Sequence, residues 1–271
     1  MLVFKLLLTP ALIGLVSLAG RRWGPAVSGW LVGLPLTSGP VVLFLALDQG
    51  TTFASRAAQG TLLGIASVAV FCLAYSWLSK RISWLGSLLA SWAVFFALTA
   101  VFELITAPLV ISFVGAIVCL TIVLNLLPAS QSASVAANPP QWETLLRMFT
   151  ATAFVVGLTA IAALVGPQLS GLLTPFPIFA SVLGAFTYHF QGASAARRLL
   201  RGVVTGSYTF AVFFLIIAGL IERWGIAAAF TLALAIALVT HGGTFLLIRR
   251  YRKHPRKIPI STPNQDDLHT T

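Results

Sequence analysis

The residues that could do chemistry are few, and they cluster where long apolar runs end. Asp48 and Gln49 close one run; Tyr188, His189 and Gln191 close another. A carboxylate or imidazole in a membrane can carry a proton or hold a polar solute. Asp48 and His189 stand at run ends, so the plainer expectation is that both meet water at an interface. Ahead of each group lies a proline-broken stretch. The first, SGWLVGLPLTSGPVVLF, has Pro35, Thr37, Ser38, Gly39 and Pro40; the second, SGLLTPFPIFASVLGAF, has Thr174, Pro175, Pro177 and Ser181. Each proline removes an amide donor and displaces the carbonyl four residues earlier. In lipid that carbonyl needs a partner or a wet cavity. Paired broken helices point to a transporter's binding site, so Pro35, Thr37, Ser38, Pro40, Asp48, Gln49, Thr174, Pro175, Pro177, Ser181, Tyr188, His189 and Gln191 form the expected substrate path. The competing expectation is a pair of kinks that only help packing. Glu103, Asn125 and His241 are expected to bond a neighbouring helix or a headgroup. There is no HExxH, GxSxG, Walker loop or ligand-spaced cluster in the sequence. No catalytic residue, metal or cofactor is therefore expected.

These residues need elements to hold them, and composition says which. The 271 residues have a mean hydropathy of +0.95 and only 8% charged side chains, against about 25% in a soluble domain. Lipid must be the solvent. Nine apolar stretches of membrane-spanning length follow one another: 2–19, 26–47, 57–78, 82–104, 107–127, 145–165, 170–188, 202–220 and 225–247. They are apolar on every face, which suits helices rather than a barrel. The net charge of +11 sits in short clusters between these runs, so it reads as topology and anionic headgroups, and nucleic acid is not an expected partner. Cys72 and Cys119 lie inside apolar runs and read as packing residues. Arg21 and Arg22 directly follow the first run, where a cleaved signal would offer small residues.

An offset of 142 aligns the two halves without a gap. Gly24-Pro25 falls on Gly166-Pro167, Ser28-Gly29 on Ser170-Gly171, Pro35 on Pro177 and Gln49-Gly50 on Gln191-Gly192. Sixteen of the 48 positions from Gly24 to Phe71 are identical. Gly60 and Gly64 fall on Gly202 and Gly206, small residues four apart that let helices approach closely. These four glycines are expected to pack the third and eighth spans on each other or on the broken spans. The offset covers five spans, an odd number, so equivalent helices should run in opposite directions. Charge tests the inversion: nine spans put fourteen of the seventeen Lys and Arg residues on the side of the Arg21-Arg22 loop. By the positive-inside rule that side is cytoplasmic, with the N-terminus external and the C-terminus cytoplasmic. Trp23, Trp77, Trp84, Trp142 and Trp224 lie near span ends, where indole anchors at headgroups.

The expected fold is an all-α polytopic membrane protein, about nine transmembrane helices as two inverted four-helix repeats joined by a connecting helix. Residues 1–106 form the first repeat, 107–143 the connecting helix and an Ala-, Ser- and Pro-rich loop, 144–248 the second repeat, and 249–271 a basic cytoplasmic tail.

Gly171-Leu172 and Phe176-Pro177-Ile178-Phe179-Ala180 give the second half a resemblance to the small GlpM-like inner-membrane proteins of bacteria. Those are four-span chains with Gly-Leu, then Phe-Pro-x-Phe-Ala, in the second span. Their following His-Tyr is not reproduced, since Tyr188-His189 is reversed and farther on. The resemblance covers roughly the last hundred residues and implies a duplicated relative of that module in a bacterial cytoplasmic membrane. It lends fold rather than substrate.

The leading expectation is a small-solute transporter working by alternating access. Its partners are the lipid bilayer and an unknown solute, with a homo-oligomer or a membrane partner left open. A non-transporting component of envelope assembly or polysaccharide export is the alternative. A lipid-modifying enzyme is disfavoured by the scarcity of acid and base groups.

Overall fold

The computed structural model describes the backbone of residues 2–35, 38–104, 107–128, 140, 142–173 and 176–253. Side chains are described for 7–35, 38–102, 104, 107–128, 140, 142–157 and 176–245. The described elements are all helical: α1 (Leu2–Trp23), α2 (Pro25–Val32), α3 (Ser38–Gln49), α4 (Thr51–Leu78), α5 (Trp84–Glu103), α6 (Leu109–Leu126), α7 (Trp142–Leu173), α8 (Ile178–Gln191) and α9 (Ala193–Lys253). Four of them hold stretches long and apolar enough to cross a membrane: Thr51–Leu78, Trp84–Phe102, Leu109–Leu126 and Ala193–Phe245.

Helix boundaries follow local chemistry. Ser83 caps α5 by accepting a hydrogen bond from the Gly86 amide at 3.3 Å. Pro25 starts α2, where a missing N–H costs nothing. The chain turns at Gly50 between α3 and α4 and at Gly192 between α8 and α9, with φ of 89° and 83°. Those two positions are 142 apart, and both angles are closed to a side chain at little cost only for glycine. A third such glycine, Gly225 at φ 75°, kinks α9 into arms 193–224 and 226–253. The proline-rich stretches interrupt helices, but the expected break between runs 145–165 and 170–188 is absent, since α7 continues through Gly166-Pro167. α2 ends at Val32 and α3 resumes at Ser38; α7 ends at Leu173 and α8 begins at Ile178.

α4 and the first arm of α9 are the buried centre. Phe71, Cys72 and Tyr75 of α4 and Phe214, Ile217 and Ile221 of α9 are all fully buried and belong to one apolar core. α5 and α6 lie at the periphery. Along α6, Val110, Ile111, Val114, Val118 and Ile122 are exposed, while Ser112, Ala116, Leu120 and Val123 are buried. An outer face more apolar than the inner one suits lipid and no other solvent.

Directions follow from end-to-end contacts. α6 runs parallel to α4: Gln59 donates to the Ala107 carbonyl at one end, and Trp77 Nε1 donates to the Leu126 carbonyl at 3.1 Å at the other. Its 18 residues rise about 27 Å, close to the roughly 30 Å of a hydrocarbon core. α9 runs antiparallel to α4. Arg197 donates to Ser79 Oγ at 3.5 Å near one end, and Ser55 Oγ donates to the Ala218 carbonyl at 2.8 Å near the other. α1 and α7 are antiparallel as well, with Arg21 Nη2 3.7 Å from Glu143 Oε2 and Gly14 beside Met148.

The closest approach joins α2 to α9. A Cβ on Gly29 would lie 2.8 Å from the Leu199 carbonyl carbon and 2.9 Å from Val203 N; one on Gly206 would lie 2.9 Å from Gly33 Cα. Backbone meets backbone here, which only glycine permits. Gly64 is buried within α4. Gly60 does not share this packing. It is exposed, and a Cβ there would meet nothing within 4 Å among the described residues. The same G-x-x-x-G spacing meets the α2 backbone at Gly202 and Gly206 and no described atom at Gly60, while α4 and the first arm of α9, which carry the two motifs, lie against each other.

Candidate functional site

α1 ends in Arg21 and Arg22, cations that complement the carbonyl end of a helix. Gly24, at φ 93°, turns the chain, and Pro25 starts α2 at once. Gly20 keeps this corner tight: a Cβ there would sit 2.9 Å from Ser28 Cβ. α7 begins at Trp142, so Glu143, read from sequence as the last residue of the linker, stands in a first helical turn instead. There a carboxylate complements the amide end. Arg147 follows one turn later on the same face.

These corners meet. Glu143 Oε1 accepts hydrogen bonds from Arg147 Nε at 2.9 Å and from Arg147 Nη2. Arg147 Nη2 also donates to Thr187 Oγ1 of α8 at 3.3 Å, and its guanidinium lies 5.8 Å from the Phe186 ring. Arg21 approaches the second carboxylate oxygen and donates to the Pro140 carbonyl at 2.6 Å. Glu143 is 1% exposed, and the side chains of Arg147 and Arg21 are 5% and 25% exposed. Two guanidiniums therefore face one carboxylate. A small cavity opens among them, lined by Ser17, Arg21, Ser28, Glu143, Arg147 and Gln191. Its free volume is about 10 Å³ for the centre of a water, enough for roughly one molecule. Ser17 Oγ and Ser28 Oγ are buried on its wall without a hydrogen-bond partner among the described residues.

The expected path residues are dispersed around this cluster. Gln191 lines the cavity. Tyr188 donates to the Ile82 carbonyl at 2.9 Å and lies 3.1 Å from that of Ser79, tying α8 to the α4–α5 turn. His189 is exposed with its ring 5.8 Å from Trp84. Asp48 and Gln49 are exposed at the end of α3. Pro35 is buried, Ser38 and Pro40 are half-buried, and Gly39 faces the Phe213 ring. At the second interruption Pro177 is buried beside Phe176, whose ring packs among Trp92, Phe95, Phe96 and Phe154. Ser181 Oγ accepts from Trp92 Nε1 at 2.9 Å. Thr37, Thr174 and Pro175 lie outside the described residues, as do the side chain of Glu103 and the tail from residue 254.

His241, in the second arm of α9, stacks on Trp30 of α2 at 3.7 Å. Its Nδ1 is 3.0 Å from Thr209 Oγ1, and Trp30 Nε1 donates to Thr244 Oγ1 at 3.0 Å. This is interhelical bonding that fastens α2 between the two arms of α9. Among the described residues no three His, Cys, Asp or Glu side chains group as metal ligands.

The charged cluster itself was absent from the sequence-based expectation. The one available signal was the four-residue spacing of Glu143 and Arg147, which means something only once a helix is known to start at Trp142. Compared with known proteins, the chain matches no protein-family model, no curated protein and no solved structure.

Proposed function

We propose that the chain is a small-solute transporter of a bacterial cytoplasmic membrane, built from two inverted repeats that rock against each other. The observation that carries the reading is the pairing of equivalent helices. α1 and α7, and α4 and the first arm of α9, are counterparts under the 142-residue offset, and each pair is antiparallel. Equivalent helices in opposite directions are what an inverted duplication requires. The inversion needs an odd crossing between the halves, and α6, lying beside α4 from Gln59 to Trp77, is a candidate of the right length.

Contacts between loops and helix ends support nine crossings. Arg21–Pro140, Trp77–Leu126, Tyr188–Ser79 and Arg197–Ser79 all join ends assigned to the cytoplasmic side. Gln59–Ala107 and Ser55–Ala218 join ends assigned to the outside. No contact among these crosses from one set to the other. The N-terminus is then external and the C-terminus cytoplasmic. The resemblance of the second half to GlpM-like proteins adds a fold of the same kind and says nothing of cargo.

Transport is favoured over a passive scaffold by the two helix interruptions at matching positions and by the buried charges where α1, α2, α7 and α8 meet. A scaffold for envelope assembly or polysaccharide export needs neither, and buried charge is costly in lipid. The test is flux. Solutes that stabilise the purified protein are loaded into reconstituted vesicles, and wild type is compared with Pro35→Ala/Pro177→Ala. Flux in wild type and its loss in the folded double variant are expected. Absence of flux for every stabilising solute would favour the assembly role.

A further inference from the structure

We infer that the cavity where α1, α2, α7 and α8 meet is an oxyanion site, which takes a carboxylate or phosphate group between Arg21 and the hydroxyls of Ser17 and Ser28. The substrate class of the proposed transporter rests on the transport reading; the binding site itself does not.

Charge comes first. The charged neighbours of Arg147 are Glu143 and Arg21. Two guanidiniums against one carboxylate leave one positive charge without a counter-anion among the described residues of the cluster. That excess charge sits on Arg21, the most exposed of the three side chains, and a bound oxyanion would gain a charge-assisted hydrogen bond from it. The two pairings are also unequal. Arg147 grips Glu143 through two nitrogens and is nearly buried. Arg21 stands at 3.7 Å from the carboxylate with a quarter of its side chain exposed. Arg21 is therefore the partner a ligand can recruit while the Glu143–Arg147 pair stays closed.

The hydroxyls supply the second, independent observation. Ser28 is 1% exposed and Ser17 4% exposed, both line the cavity, and neither Oγ has a partner among the described residues. A helical serine can normally return its proton to the carbonyl one turn back. The buried hydroxyls of Ser67, Ser76, Ser87 and Thr99 also lack a partner among the described residues. Of the six, only Ser17 and Ser28 line the cavity beside Arg21, where a ligand can supply a partner. An acceptor seated between them and Arg21 provides one. Acceptor-only chemistry is what guanidinium and hydroxyl donors recognise together. The present space suits one water, so the ligand enters as the exposed Arg21 side chain moves outward around it.

The same chemistry is offered by a free solute and by a phospholipid headgroup, and the experiment separates them. The full chain is purified in dodecyl maltoside, and its thermal unfolding is followed against sodium phosphate and sodium acetate, with sodium chloride holding ionic strength constant. The measurement is repeated in discs of phosphatidylcholine with and without phosphatidylglycerol. A saturable rise with phosphate or acetate in phosphatidylcholine identifies a free solute. A rise that requires phosphatidylglycerol identifies a headgroup. Arg21→Gln should remove the saturable rise. Ser28→Ala should leave the ligand-free protein as stable or more stable, since an unsatisfied hydroxyl is gone, yet weaken oxyanion binding about tenfold or more. A serine that only packs would not show those opposite effects. Absence of saturation with phosphate, acetate and phosphatidylglycerol, or an equal rise in wild type and both variants, overturns the site. Oxyanion binding without flux would keep the site and sink the transport reading; flux of other solutes without oxyanion binding would do the reverse.

Discussion

Gly202→Ala and Gly60→Ala make the same chemical change at equivalent positions, and they should act in opposite directions. At Gly202 the new Cβ would sit 2.8 Å from Trp30 N and 3.0 Å from the Ala26 carbonyl carbon. Relaxed heavy-atom contacts to carbon lie near 3.5–4.0 Å, so α2 and α9 must part by roughly 0.5–1 Å. Both obstacles are backbone and cannot rotate away. Overpacking of this kind costs about 1–3 kcal/mol, and the absence of a yielding side chain puts Gly202 at the upper end. At Gly60 a Cβ meets nothing within 4 Å among the described residues, and replacing a mid-helix glycine by alanine favours the helix by about 1 kcal/mol. The helix-propensity gain is common to both positions and cancels, so the two variants should differ by about the overpacking cost, ~3 kcal/mol. The assay is thermal unfolding of each purified protein in one detergent, with monodispersity by size-exclusion chromatography as a check on folding. Gly202→Ala should unfold well below wild type and Gly60→Ala at or above it. Equal losses in both would refute the reasoning and mean that the α4 glycine face is packed as tightly as its counterpart.

Three further outcomes follow from named contacts. Glu143→Gln leaves the Arg147 guanidinium buried without its counter-anion, which should cost about 3–5 kcal/mol and lower folded yield; Glu143→Gln/Arg147→Gln should recover much of that loss in the same yield measurement. Ser181→Ala strips Trp92 Nε1 of its acceptor and should lower stability by about 1–3 kcal/mol in thermal unfolding. Tyr188→Phe unties α8 from the α4–α5 turn; a loss of about 1 kcal/mol is expected, with faster proteolysis near residues 79–83 as the local readout.

The elements were largely legible because their signal is local. Apolar length marks a helix, and Pro35 and Pro177 interrupt theirs through a missing amide that no distant contact can restore. Gly50 and Gly192 were visible as an aligned pair, although their left-handed conformation was not. Tertiary placement decided what stayed hidden. Gly60 and Gly202 share one motif, yet only the second meets a helix, because the route of α2 brings it to α9. Glu143 resembled a polar loop residue since its neighbours from Pro128 to Gln141 are loop-like. Its partner Arg21 lies more than a hundred residues away, and it reads by itself as a topology signal. Ser28 was noted as part of the repeat, but a hydroxyl left without an acceptor is a property of three-dimensional neighbours.

The head-to-foot arrangement of the halves is tested most directly by where the chain ends lie. In a Cys72→Ala/Cys119→Ala background, Leu2→Cys and Thr270→Cys are placed one at a time and exposed to a membrane-impermeant maleimide on intact spheroplasts. Leu2→Cys should label from outside, and Thr270→Cys only after the membrane is opened. Labelling of both from one side would mean an even number of crossings, and the account of two inverted halves would be wrong.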